Sequence, residues 1–214
     1  IAGRVPELLG RPAEALRLVS CHLGGSSSIC AIRGGRSIDT TMGFSPQSGL
    51  ENATRHGELD VFAVLYMMER CGWGLEEVRR QLTRTGGLAG LSGVAGGDVR
   101  DLERAAAEGS ADAALALDVF AYQVRKTIGA YAAALGGLDA VAFTGGIGEN
   151  SARLRAACCA GLEFLGLRLD PVRNEQGASD CLVSADDSAV AVVALATNEE
   201  LIVARRAYRV LAWA

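Results

Sequence analysis

The run "LRLVSCHL" (16–23) is apolar and partly β-branched, and "SICAIR" (28–33) and "RSIDTT" (36–41) follow it at strand length. Gly34-Gly35 between the last two is a two-residue hairpin signal. The chain is therefore expected to begin with three adjacent strands. "ELDVFAVLYMMERC" (58–71) reads as a helix stopped by Gly72, and "LEEVRRQLTR" (75–84) as another before Thr85-Gly86-Gly87; both are expected to cross away from the sheet. The longest periodic segment runs from about Ala111 to Leu135. There Leu117, Phe120, Val124, Ile128, Tyr131 and Leu135 recur at three- and four-residue steps behind a Ser110 N-cap, predicting a core-packing helix. A strand at 140–143, a helix from about Ser151, a buried strand at 189–196 and a final helix from Asn198 complete the pattern. Three strands, helices, then β-α-β-α imply an α/β fold with a mixed sheet covered by helices on both faces.

Composition narrows the class. The 214 residues are 50% hydrophobic, enough to bury a full core, so disorder is excluded. No apolar run approaches the about 18 residues of a membrane span, and "IAGRVPELLGRP" lacks a signal-peptide core. A net charge of −4 with scattered basic residues argues against nucleic acid as a partner. A soluble cytoplasmic protein, with no membrane partner, is the expectation. The six cysteines show no CxxC spacing and fall in apolar segments, so they are read as reduced and structural. The chain starts at Ile1 in the middle of a helical phrase, which reads as a piece of a longer chain.

Two loops carry candidate chemistry. In "AVAFTGGIGENSARLR" (140–155), Gly145, Gly146, Ile147 and Gly148 lie between a buried strand and a helix, where bare N–H groups suit anionic or polar ligand atoms, a nucleotide above all. The same glycines also suit a tight turn needing positive φ and nothing more. "CHLGGSSS" (21–28) is a second strand-end loop, with His22, Gly24, Gly25 and Ser26; turn chemistry alone also accounts for it. Neither a P-loop nor a Rossmann fingerprint is spelled in the chain. Asp39 at a strand end suits a metal or its water, and Arg55 in "NATRHGELD" suits a transferring phosphoryl group; both also fit solvated loop charges. Glu199 and Glu200 open the last helix, where a carboxylate offsets the dipole or ligates a metal.

Taken together, "CHLGGSSSICAIRGGRSIDTTMGFSPQSGL", "TRHGELD", "GLAGLSGVAGGDVRDLERA", "AVAFTGGIGENSARLR", "GLEFLGLRLD" and "TNEELIVAR" resemble, in order, the acetate kinase family. The likeness runs from about residue 5 to the end. It implies an RNase H-like (actin-like ATPase) fold with a mixed five-stranded sheet. Residues 1–214 would be the C-terminal nucleotide-binding lobe, with a helical insertion at about 58–135. It also implies ATP-dependent phosphoryl transfer to a short-chain carboxylate, acetate or propionate, giving an acyl phosphate, with Mg²⁺ and ATP/ADP as cofactors. Arg55 matches the arginine proposed to stabilise the transferring group. His22, Gly24, Gly25 and Ser26 match the segment along the β- and γ-phosphates. Asp98, Val99 and Arg100 match the residues that hold adenosine. Gly145 to Gly148 and Asn150 match the loop the nucleotide leans on, and Glu199 the carboxylate that helps bind Mg²⁺. Further partners implied are the N-terminal half of the same protein and a second copy in a homodimer, the latter also favoured by the apolar surface of the 111–135 helix.

The departures are local. The family's "HLGNG" is "HLGGS" here, placing Gly25 where an asparagine is usual and Ser26 where a glycine is. Ala53 in "NATR" and Val61 after Asp60 replace a glycine and a proline, and Val99 stands where an aromatic is frequent. All but Val99, which belongs to the adenosine segment, flank the phosphate and substrate region, so butyrate stays open beside acetate and propionate. A non-catalytic nucleotide-binding or dimerisation module remains the alternative from another class. Without the N-terminal half, the resemblance implies a lobe with little turnover of its own.

Overall fold

The computed structural model describes residues 1–177 and 180–212. A short helix, α1 (Arg4–Leu9), precedes three strands, β1 (Arg17–His22), β2 (Ser28–Arg33) and β3 (Arg36–Thr40), which pair as antiparallel neighbours. Gly34 and Gly35 form the predicted two-residue turn. Their φ values of 56° and 75° give a backbone twist that matches the strands it joins.

The chain then leaves the sheet for α2 (Val61–Cys71), α3 (Leu75–Arg84), α4 (Gly87–Ser92), α5 (Val99–Ala107) and α6 (Ala111–Leu135). It returns through β4 (Ala140–Thr144), α7 (Gly145–Asn150), α8 (Ala152–Cys159), α9 (Pro171–Gln176), β5 (Cys181–Leu182), β6 (Ala191–Ala194) and α10 (Glu199–Ala212). Neither α2 nor α3 buries a residue, in keeping with helices that cross away from the sheet.

The sheet order is β3-β2-β1-β4-β6-β5, with β4 parallel to both β1 and β6. This is the arrangement expected of an RNase H-like core, with six strands instead of five. The extra edge strand, β5, is two residues long, too short to leave a period in the sequence.

Side chains alternate across the sheet. Val19, Cys21, Ile29, Ala31, Val141, Phe143 and Val192 face a thick helical layer in which α6 contributes Leu117, Phe120, Val124 and Ile128. Leu18, Ile32, Ala140, Ala142 and Val193 face the other way, where Val5 and Leu9 of α1 cover them. Helix α6 has the predicted limits. Ser110 accepts from the Ala113 N–H at 3.2 Å, and Gly136 ends the helix in the left-handed region at φ 71°. Its core-facing side chains are buried inside the chain, while Leu115 and Tyr122 stay exposed on its outer face.

Cys21, Cys158 and Cys159 are buried together in the larger core cluster, and burial pushes their thiols up, Cys158 to about 12. They pack as small apolar groups. Cys71 departs from that reading, because it lies exposed at the end of α2.

Candidate functional site

At the carboxyl ends of the parallel neighbours β1 and β4, a cleft of about 730 Å³ opens between Ala53, in the loop that carries Arg55, and three further pieces of chain. The loop after β1 supplies Gly24 and Gly25. The entry to α5 supplies Gly96 to Arg100 and, one turn on, Glu103. Helix α7 supplies Gly146, Ile147, Asn150 and the following Ser151. Eight residues expected to hold nucleotide therefore meet in one cavity, although Gly24 and Asn150 are more than a hundred positions apart: Gly24, Gly25, Asp98, Val99, Arg100, Gly146, Ile147 and Asn150. His22, Ser26, Gly145 and Gly148 lie behind or beside its lining, as does Arg55.

Local geometry explains the division of the glycines. Gly145 has φ 76°, and a Cβ there would stand 2.5 Å from the Leu23 carbonyl oxygen, so only glycine fits. That carbonyl accepts the N–H groups of Ile147 at 2.9 Å and Gly148 at 3.2 Å. The expected bare loop is thus a helical turn anchored on the strand beside it, with these two donors spent inside the protein. Gly148 is buried against Phe143. Gly146 alone of the three is open: a Cβ on it would meet nothing within 4 Å. At the strand ends, His22 Nδ1 lies 3.1 Å from Thr144 Oγ1.

The opposite wall is built the same way. Gly97, at φ 61°, lies so close to the Ala53 carbonyl that a Cβ would be 2.1 Å from it. Asp98 caps α5 by accepting from the Arg100 N–H at 2.9 Å and also receives the Arg100 guanidinium, at 2.6 Å for Nη2. The side-chain hydrogen bond from Arg100 holds the Asp98 carboxyl down at about 2, so it is an anion throughout the physiological range. Ser151 donates to Glu103 at 2.6 Å, joining α5 to the start of α8 across the cleft floor.

Arg55 is positioned by a buried asparagine. Asn52 is 1% exposed; its side-chain oxygen accepts from the Ser27 N–H, its amide donates to the Leu50 carbonyl at 3.2 Å, and its backbone N–H donates to the Arg55 carbonyl at 3.0 Å. Ala53 N–H donates to the Gly25 carbonyl at 3.2 Å, so the Arg55 loop is tied to the loop after β1. The guanidinium itself donates to the Pro46 carbonyl at 3.0 Å and to Ser26 Oγ. Charge and forked donors are thereby held at the rim beside Gly25.

Glu199 begins α10, but its side chain lies outside the described residues. The start of that helix is fixed beside α7 by the Thr197 N–H, which donates to Glu149 at 3.1 Å, and by Asn198, which caps Leu201 at 2.8 Å. Among the described residues no group of three or more His, Cys, Asp or Glu side chains is placed to share a metal ion. Asp39 is exposed on β3 and accepts from the Thr40 N–H at 2.7 Å, away from the cleft lining. Gly96, Gly97, Glu103 and Ser151 also line the cleft and are not marked as site residues by the sequence. The signal for Ser151 was its capping position, which gives a fold role and hides the cleft one.

The family model of the acetokinase family matches residues 1–205. The chain belongs to the acetokinase family. It is 49% identical over 209 residues to an acetate kinase of Geobacillus kaustophilus and 48% identical over 210 residues to a propionate kinase of Citrobacter rodentium. Each match takes in 98% of this chain and 52% or 51% of the relative. Among solved structures, the acetate kinase of Porphyromonas gingivalis superposes with a TM-score of 0.93 at 34% identity, over 98% of this chain and 53% of the other. The chain thus spans about half the length of the acetokinase relatives it matches.

Proposed function

We propose that this chain is the nucleotide-binding lobe, residues 1–214 with a helical insertion at about 58–135, of an ATP-dependent kinase that phosphorylates a short-chain carboxylate. The observation that carries the reading is the convergence of the Gly24-Gly25 loop, Asp98 to Arg100 and α7 on one cleft, with Arg55 held at its phosphate-side rim. Acetate and propionate are the acids carried by the names of the relatives, and this lobe alone does not separate them.

In this reading the nucleoside lies between the α5 entry and Gly146-Ile147, with its phosphates toward Gly24 and Gly25. A carboxylate oxygen attacks the γ-phosphorus, the bond to the β,γ-bridging oxygen breaks, and ADP keeps that electron pair; no proton moves. Arg55 places its guanidinium against the charge spread over the transferring group, so catalysis rests on positioning and electrostatics. Mg²⁺ bound with ATP would neutralise phosphate charge. It needs only one or two protein carboxylates beside the phosphates, so a lone Glu199 fits, and the lack of a described acidic cluster does not conflict.

The N-terminal half is the partner that would close the cleft. Leu201, Ile202, Val203 and Leu211 of α10 are exposed, and that helix starts beside α7 at the cleft mouth. Helix α2 exposes Val61, Phe62, Leu65 and Tyr66 and is proposed, beside the outer face of α6 with Leu115 and Tyr122, as a surface for a homodimer. Among the described residues no helix is long and apolar enough to cross a membrane.

The test joins this chain to its N-terminal half and traps acyl phosphate with hydroxylamine in the presence of ATP, Mg²⁺ and acetate, propionate or butyrate. Product with one of these acids is expected. Nucleotide binding with no product from any of them would instead establish a non-catalytic module.

A further inference from the structure

Among the described residues Arg155 is the largest fully buried side chain, and none of its hydrogen-bond partners is a carboxylate. Its guanidinium is satisfied by neutral oxygens. Nε donates to Asn174 Oδ1 at 2.8 Å and Nη2 to the Asn174 carbonyl at 2.6 Å; Nη1 donates to the carbonyls of Gly148 at 2.9 Å and Glu149 at 2.8 Å. Burial lowers its pKa, yet an arginine so placed stays protonated.

The two carbonyls decide what this costly arrangement does. Helix α7 is six residues long and breaks from α8 at Ser151, whose φ of −98° and ψ of 92° are not helical. The last carbonyls of a helix lack intrahelical donors, and here they lie under the wall of the cleft. Arg155 reaches back from α8 to fill both, and Asn174 of α9 holds Arg155 while its own amide donates to the Ala152 carbonyl at 2.8 Å. Asn150 and Ser151, which sit at the break, both line the cleft.

We infer that Arg155 is a positioning residue for nucleotide affinity: by clamping the α7–α8 break it fixes the wall formed by Gly146, Ile147, Asn150 and Ser151, and it takes no part in phosphoryl transfer. This rests on the nucleotide reading of the cleft. A single ammonium replaces the planar fork poorly, because the four acceptors are reached from three different guanidinium nitrogens.

The experiment uses the enzyme assembled with its N-terminal half and compares wild type, Arg155→Lys, Arg155→Met and Asn174→Ala. Nucleotide KM, kcat and calorimetric ADP affinity are measured, with amide hydrogen exchange over 145–151. For Arg155→Lys and Asn174→Ala, ADP affinity is expected to fall about tenfold, the scale of one buried hydrogen bond left unmade. ATP KM should rise to match, with kcat held within about twofold and faster exchange confined to 145–151. Arg155→Met should fall further in affinity or fail to fold, and in the latter case the two milder variants decide. Unchanged affinity with only a lower melting temperature, or a fall in kcat at unchanged KM, overturns the inference. A wild-type enzyme that binds no ADP overturns the nucleotide reading itself, whereas wild-type binding with unaffected variants overturns only the role of Arg155.

Discussion

On the α7 side of the cleft the polar atoms find partners within the chain: Arg155 fills the helix carbonyls, Ser151 meets Glu103, and Leu23 receives two N–H groups. On the Arg55 side, Gln47 Oε1, Glu51 Oε2 and His56 Nδ1 are buried without a hydrogen-bond partner, and the Phe44 side chain is fully exposed. Burial raises the Glu51 carboxyl above the usual range and lowers His56 below its own. A wall complete in itself suits ground-state binding of a nucleotide. A rim with orphaned polar atoms suits a surface that another part of the protein completes.

The largest effect expected from this contrast belongs to Arg55. In the assembled enzyme Arg55→Ala should lower kcat by about 10³-fold while ADP affinity barely changes, since a guanidinium aimed at the transferring group acts chiefly in the transition state. Arg55→Lys should recover part of the loss. Steady-state kinetics beside calorimetry separates the two quantities, and near-normal kcat in both variants would reduce Arg55 to a solvated loop charge.

Next in size is the glycine pair on the complete wall. Gly145→Ala forces a Cβ to within 2.5 Å of the Leu23 carbonyl at φ 76° and should cost about 3 kcal/mol in stability, read by denaturant unfolding. Gly146→Ala adds a methyl to open space and should change stability by less than about 0.5 kcal/mol while weakening ADP binding. Equal stability loss in both would contradict the division of the two glycines into turn former and cleft lining.

The smallest effect tests the unfinished rim. The folded Glu51 carboxyl has a raised pKa, with burial as its largest cause, so ionisation penalises the folded state. Stability is therefore lost as pH rises from the unfolded value of about 4.3 through the raised folded one. Glu51→Gln should raise the melting temperature of this chain at pH 7 and leave it unchanged below about pH 4. In the assembled protein the gain should vanish or reverse if the N-terminal half supplies a partner for Glu51.

Much of this was legible in the sequence where one physical rule dominated. Ser110 and Gly136 bracket an apolar 3–4 period, and α6 has those limits; Gly34-Gly35 gives the turn it spells. What escaped depends on tertiary contact. Helix α4 carries Gly87 and Gly90, and glycine in α7 overrides its own low helix propensity because the Leu23 carbonyl rewards that turn. Nothing in the sequence marks Arg155 for the core beyond the helical spacing it shares with Ser151, Cys158 and Cys159, which are buried too. The two glycine loops stand out at strand ends in the sequence itself, whereas Asp98, Val99, Arg100 and Asn150 are marked only by the family resemblance. Their convergence, and the difference between Gly145 and Gly146, appear only once β1 and β4 lie side by side.

The most direct test of the central claim is a titration of the folded chain with ADP and Mg²⁺, followed by calorimetry and by amide chemical shifts. Saturable binding is predicted, with shifts concentrated at Gly24-Gly25, at Gly96 to Arg100 and from Gly146 to Ser151, and little change along α1, α2 and α3. No heat and no shifts in a sample whose amide spectrum shows it folded would contradict the account.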